Sequence, residues 1–309
     1  MKIDEALSPS EVLASVAAAL PESARANVIV VGSLAAGHYF FAGDGARAIR
    51  TKDVDCLFSP WARAVAAAED VTEQLLDAHW TLRENRAFGA PGSATDPVEA
   101  LPRVRLLPPG ADTSPWFLEL LSAPPNFEPG DPSRKKLRRL QTSVGDFSIA
   151  SFDFLALAEW QPIRTSHEIH IARPEMMALA NLLHHPRVDD TLIASTTQKR
   201  SNKDLGRVLA LAYLTVLRDR RDGADELATW PVNMWAALQD KFGATARGLA
   251  AAAGSGLEDL LSRSVDFDQA LMIANLGLLA SMDVDREAFR ATAERVRAEV
   301  LEELVELAS

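Results

Sequence analysis

Asp53 and Asp55, in the stretch TKDVDCLF, combine residue type and spacing in a way that points to chemistry. On a β-strand, residues two apart project from one face, so the two carboxylates stand side by side while Val54 and Cys56 point the other way. Like charges held this close are costly unless something positive lies between them. A divalent cation satisfies that requirement, and the chemistry it implies is metal-assisted phosphoryl or nucleotidyl transfer. Upstream, the apolar run VIVV ends at Gly32-Ser33. Gly allows close approach of backbone to a ligand, and the free amides at a helix start favour an anion such as phosphate. Glu119, in WFLELL, is a carboxylate centred in an apolar run, and it needs a metal or a basic partner. Three carboxylates can hold two Mg²⁺ ions, which bind oxygen donors and are usually shared with substrate phosphates.

These residues need elements to position them. Helical periodicity covers 8–20, opened by Ser8 or Ser10 and closed by Pro21. Residues 27–32 read as a buried strand, 33–42 as a short helix from the Gly-Ser turn, and 53–58 as the aspartate strand. A helix follows from Pro60 to about residue 78, with strands expected over 79–84, 103–107 and 116–122. AFGAPGSATDPVEALP is a Gly- and Pro-rich loop. After the strand-like FSIASF and HEIHIA, apolar residues recur at helical spacing from Arg173 onward. The expectation is an α/β (α+β) architecture: a small mixed sheet flanked by helices over 1–172, then an α-helical domain over 173–309.

The sequence of 309 residues is long enough for two domains. At 48% hydrophobic and 24% charged it reads as an ordinary soluble chain, and no apolar run reaches the roughly 18 residues that span a membrane. The N-terminal stretch contains acids and an amphipathic pattern, unlike a secretory signal. Cys56 is the single cysteine, which fits a reducing cytoplasm. A net charge of −11 argues against a chain coated with nucleic acid but leaves room for a local basic groove. The one dense basic cluster is Ser133–Arg139 (SRKKLRR), readable as an RNA-backbone groove or as a solvated helix face. Lys199, Arg200 and Lys203 in KRSNKD are candidates to neutralise phosphates, or else a solvated helix start, with Asp204 orienting Lys203 or capping the helix. His184 and His185 face different directions on a helix, and His167 and His170 lack a metal-binding pattern around them.

Taken together, Gly32, Ser33, Asp53, Asp55 and Glu119 resemble the pattern of the nucleotidyltransferase superfamily that includes DNA polymerase β. The α/β half followed by a helical half is similar to the abortive-infection-type nucleotidyltransferase toxins of bacterial toxin–antitoxin systems. ARPEMMALANLL and KRSNKDLGRVLALA resemble that group's later motifs. The resemblance covers residues 27–215. It implies an NTP substrate held at Gly32 and Ser33, two Mg²⁺ ions on Asp53, Asp55 and Glu119, and Glu119 helping to deprotonate the acceptor. It also implies triphosphate contacts from Lys199, Arg200 and Lys203. An RNA acceptor such as a tRNA 3′ end and a cognate antitoxin partner are implied as well. A protein hydroxyl or a cationic aminoglycoside-like molecule are the other acceptors, and a catalytically silent nucleotide-binding or protein-interaction module is the reading from another class. Two departures stand out. Residues 34–52 make the interval between Ser33 and Asp53 longer than the family's, so HYFFAGDGARAI must form a longer loop or hairpin. The second Asp that often follows the Lys-Asp pair is replaced by LGRV.

Overall fold

The computed structural model describes residues 7–42, 49–51, 53–59, 61–83, 90–110, 116–122, 136–151, 153–188, 191–193 and 196–309. The protein is mixed α/β, with a mixed sheet flanked by helices and a C-terminal helical region. Its internal contacts define two compact units: Met1–His38 with Arg50–Ala172, and Tyr39–Ile49 with Arg173–Ser309.

In the first unit, helix α1 (Pro9–Ala19) starts where Ser8 Oγ accepts from the Glu11 amide, and a short α2 (Glu22–Arg25) follows. Such a hydroxyl satisfies one of the amides that every helix start leaves orphaned. Strand β1 (Val28–Val31) is four buried aliphatic residues and runs into α3 (Gly32–Phe41). Strand β2 (Asp53–Phe58) is followed by α4 (Trp61–Asp77), β3 (Thr81–Leu82), β4 (Arg105–Leu107) and β5 (Phe117–Ser122). A hairpin of β6 (Lys136–Thr142) and β7 (Gly145–Ser151) comes next, then a 3₁₀ segment, Asp153–Glu159, and the short strands β8 (Ile163–Arg164) and β9 (His170–Ile171).

Among the described residues these strands form one nine-stranded sheet, seven along the path β3-β4-β5-β2-β1-β9-β8 and two, β7 and β6, branching off it. Strand β5 is the branch point. Its start pairs antiparallel with β4, and its end pairs parallel with β7. On its other edge it runs parallel to β2, and β2 runs antiparallel to β1. The face bearing Val30, Val54, Cys56, Leu118 and Leu120 is buried. Acids at the matching positions of that face would each leave a charge in an apolar core, so the alternation of β2 dictates which face carries them.

The basic run departs from a helix face. Its described residues, Lys136 to Arg139, belong to strand β6, while 133–135 lie outside the described residues. The physical reason is the tie at Arg139, which donates to Asp146 on the paired strand, to Ser93 O at 3.0 Å and to Asp96 O. Glu69 and Glu73 of α4 then accept the amides of Gln141 and Ser143, fixing the hairpin end.

The second unit contains α5 (Pro174–Val188), α6 (Arg200–Asp222), α7 (Glu226–Phe242), α8 (Ala246–Ala252), α9 (Leu257–Ser262), α10 (Ser264–Leu276), α11 (Arg286–Arg295) and α12 (Glu302–Ala308). Helix α6 ends at Gly223 with φ 67°, the left-handed conformation common after a last helical turn. Helix α10 stops at Leu276, where the chain turns at Gly277. Gly206 lets α6 approach α10: a Cβ there would lie 2.7 Å from Ala270 O. Among the described residues, no helix is long and apolar enough to cross a membrane.

Candidate functional site: an acid row meeting an arginine edge

One cross-strand row in the first unit brings together most of the residues singled out above. By register, Val31 of β1 pairs with Asp55, Asp55 with Glu119, and Glu119 with Arg105. Directly paired residues on neighbouring strands leave the sheet on the same face. Asp53 shares that face two residues upstream and pairs with Phe117. The row ends at the edge strand, where the Arg83 amide donates to Arg105 O at 2.9 Å. The sheet thus presents two aspartates and a glutamate followed by two arginines.

Gly32 sits at the opposite end of the row. Its φ of 75° lies in the left-handed region, which side-chain-bearing residues adopt at a cost. A Cβ placed on it would lie 3.4 Å from Asp55 Oδ2. The turn into α3 therefore passes close to the second aspartate, with Ser33 at the next position. Asp53 is oriented from below: Thr51 Oγ1 donates to its carbonyl and to its Oδ1, both at 3.1 Å.

Glu119 has the partner that its apolar strand demands, and the partner is a guanidinium. Arg105 Nε donates to Oε2 at 2.9 Å and Nη2 to Oε1 at 3.2 Å, with side chains only 18% and 12% exposed. A two-pronged pair of this kind fixes both planes and is stronger than a neutral hydrogen bond. Two more arginines sit near it. Burial, and then the like charge of Arg105, hold the Arg83 guanidinium below its usual pKa, while Asp53 and Glu119 pull it back up. Burial also lowers Arg103, which donates to Leu101 O at 3.3 Å and to Ser148 Oγ. On the reverse face, burial and then Asp55 push the Cys56 thiol up, so it stays protonated and unreactive.

Hard carboxylate oxygens on one face suit Mg²⁺, and Asp53 and Asp55 fit that ion. Glu119 meets it only in competition with Arg105. In keeping with that, among the described residues no three His, Cys, Asp or Glu side chains form a group ready to hold a metal ion. The chain matches no family model and no curated protein.

The other candidates belong to the second unit. Lys199 is committed there: its amide donates to Gln269 Oε1 at 2.9 Å and its ammonium pairs with Asp266 at 3.2 Å. Asn202 donates to the same two acceptors. Arg200 is exposed and Lys203 half-buried. Asp204 does not cap its helix, since it lies inside α6 behind the N-cap Lys199; its Oδ2 lies 2.7 Å from His184 Nδ1. His185 packs against Gly256, where a Cβ would be 1.7 Å from Cε1. Residues 43–48 and 52 of the long interval before Asp53 lie outside the described residues, and α3 occupies its start up to Phe41.

Thr51, Arg83, Arg103 and Arg105 join the site without standing out in the sequence. A signal for the last two was present: in RVRLL, Arg103 and Arg105 alternate with apolar residues as Glu119 does in FLELL, which marks two half-polar strands able to pair charge against charge.

Proposed function

We propose that the acid row is the metal site of a nucleotidyltransferase that moves a nucleoside monophosphate from an NTP to an acceptor hydroxyl. The observation that supports it best is the register that sets Glu119 beside Asp55, on the face of Asp53 and next to the Gly32 turn. Asp53 and Asp55 would hold Mg²⁺, which when bound neutralises phosphate charge. The amides of the α3 start and the Ser33 hydroxyl would orient the triphosphate. The acceptor oxygen would bond to the α-phosphorus as the bond to the bridging oxygen breaks. Pyrophosphate would leave with the electron pair, and Glu119, once clear of Arg105, would take the acceptor proton. Rate enhancement would come from positioning and charge neutralisation, with no covalent intermediate on the protein. Lys199, Arg200 and Lys203 enter this reading only through the family resemblance.

An RNA acceptor such as a tRNA 3′ end, in a cytoplasmic toxin kept in check by an antitoxin, follows from the same resemblance. The basic run lends it little, since Arg139 is spent on internal bonds. A nucleotide-binding module without transfer is the second reading, favoured by the Arg105–Glu119 pair that occupies the third carboxylate. Incubation with each labelled NTP and Mg²⁺, with tRNA, protein or an aminoglycoside as acceptor, separates the two. Label entering an acceptor supports transfer. Bound label that is never transferred supports the silent module.

A further inference from the structure

The arginine end of the row has a geometry that the acids do not explain. Arg83 and Arg105 are cross-strand neighbours on the face of Asp55 and Glu119. Both guanidiniums lie over the ring of buried Phe117, with Arg83 at 3.9 Å and Arg105 at 5.6 Å from its centroid. Stacking on an aromatic face fixes the plane of a guanidinium and leaves its N–H edge directed outward. Glu119 engages Arg105, but no carboxylate among the described residues pairs with Arg83. Two like charges stacked on one ring form an arrangement that an oxyanion between them would relieve. A phosphate matches the forked donors of both.

We propose that Arg83 and Arg105 form a phosphate-binding subsite at the edge of the sheet, and that a phosphate held there competes with Glu119 for Arg105. The fork of Arg105 satisfies one bidentate partner at a time. Arrival of the phosphate therefore loosens the Arg105–Glu119 pair and turns the Glu119 carboxylate toward Asp55. The subsite rests on the nucleotidyl-transfer reading for its consequence at Glu119, while binding itself is independent of that reading. The phosphate belongs either to a nucleotide or to the backbone of a nucleic-acid acceptor.

Calorimetric titration of the full chain tests this. Sodium pyrophosphate in EDTA is the first probe, a non-hydrolysable ATP analogue with Mg²⁺ the second, and a short single-stranded oligoribonucleotide the third. Arg83→Gln is the primary variant because the side chain is half-exposed and makes no ion pair with a carboxylate among the described residues. Arg105→Lys, which keeps the charge but not the fork, is the second. Both should bind pyrophosphate at least tenfold more weakly than wild type, with the melting temperature of Arg83→Gln unchanged. A matching loss with the ATP analogue assigns the phosphate to the nucleotide, and a loss with the oligoribonucleotide assigns it to an acceptor strand. The subsite is overturned if wild type binds none of the three probes, or if Arg83→Gln binds all three within twofold of wild type. Label transfer that persists alongside unchanged affinities would remove the subsite and leave the transferase reading standing. Tenfold losses without any label transfer would do the opposite.

Discussion

Breaking the Arg105–Glu119 pair from each side, and then from both, measures how strongly the row holds itself together. The two side chains are 18% and 12% exposed and joined by two bonds of 2.9 and 3.2 Å, so the pair behaves more as a buried ion pair than as a surface one. Removing one partner of such a pair typically costs about 3–5 kcal/mol, because an uncompensated charge stays behind. Here the cost is lower. In Arg105→Gln, the stranded Glu119 keeps the attraction of Arg83 and Arg103, which brings the expected loss to roughly 2–3 kcal/mol. In Glu119→Gln, three arginines lose their shared counter-charge, and a similar loss follows. The double variant leaves neither charge stranded, so its loss should fall short of the sum by about 1–3 kcal/mol. Urea unfolding midpoints at constant m-value give all three numbers. Additivity within about 0.5 kcal/mol would show that the two side chains do not interact in solution. The description of Glu119 as an arginine-held carboxylate would then fall.

Three further outcomes follow from local geometry. Gly32→Ala forces a side chain into φ 75° without a steric clash, since its Cβ meets Asp55 Oδ2 at 3.4 Å; thermal melting should show a loss of about 1–2 kcal/mol. A larger loss, or none, would contradict that backbone conformation. Gly206→Ala should destabilise despite the helix-propensity gain of about 1 kcal/mol, because its Cβ would lie 2.7 Å from Ala270 O; a raised melting temperature would refute the close α6–α10 contact. Burial, aided by His184 and opposed by Asp204 and Asp259, holds the His185 pKa below the ordinary histidine value. The unfolded chain therefore binds the proton first, and stability present above about pH 6.5 is lost as pH falls toward the folded pKa. Melting temperatures at pH 7.5 and 5.5 should fall further apart in wild type than in His185→Gln, and equal differences would exclude His185 as a cause.

The aspartate pair was legible because strand alternation is a local rule. Once β2 is a strand, Asp53 and Asp55 share a face whatever the rest of the chain does. The Gly32 turn was legible for the same reason, lying between an aliphatic run and a helical one. The partner of Glu119 was not. Its need for one could be read from the apolar flanks, but the choice of Arg105 is made by the pairing of β4 with β5, which no local pattern specifies. The basic run was misplaced on a similar ground. Seven residues of mixed basic and apolar character satisfy a helix or a strand, and only the docking of Arg139 onto Asp146, Ser93 and Asp96 decides between them. Lys199 resembled a free phosphate ligand until Asp266 and Gln269, far along the chain, were brought to it.

We have proposed metal-dependent nucleotidyl transfer at Asp53 and Asp55. Its most direct test is transfer of radiolabel from α-labelled NTPs to an acceptor, comparing wild type with the Asp53→Ala/Asp55→Ala double variant at matched folded fractions. Transfer by wild type should require Mg²⁺, stop in EDTA, and fall by at least a hundredfold in the double variant. Equal label transfer by the two proteins, or none by wild type with any NTP and acceptor, would contradict it.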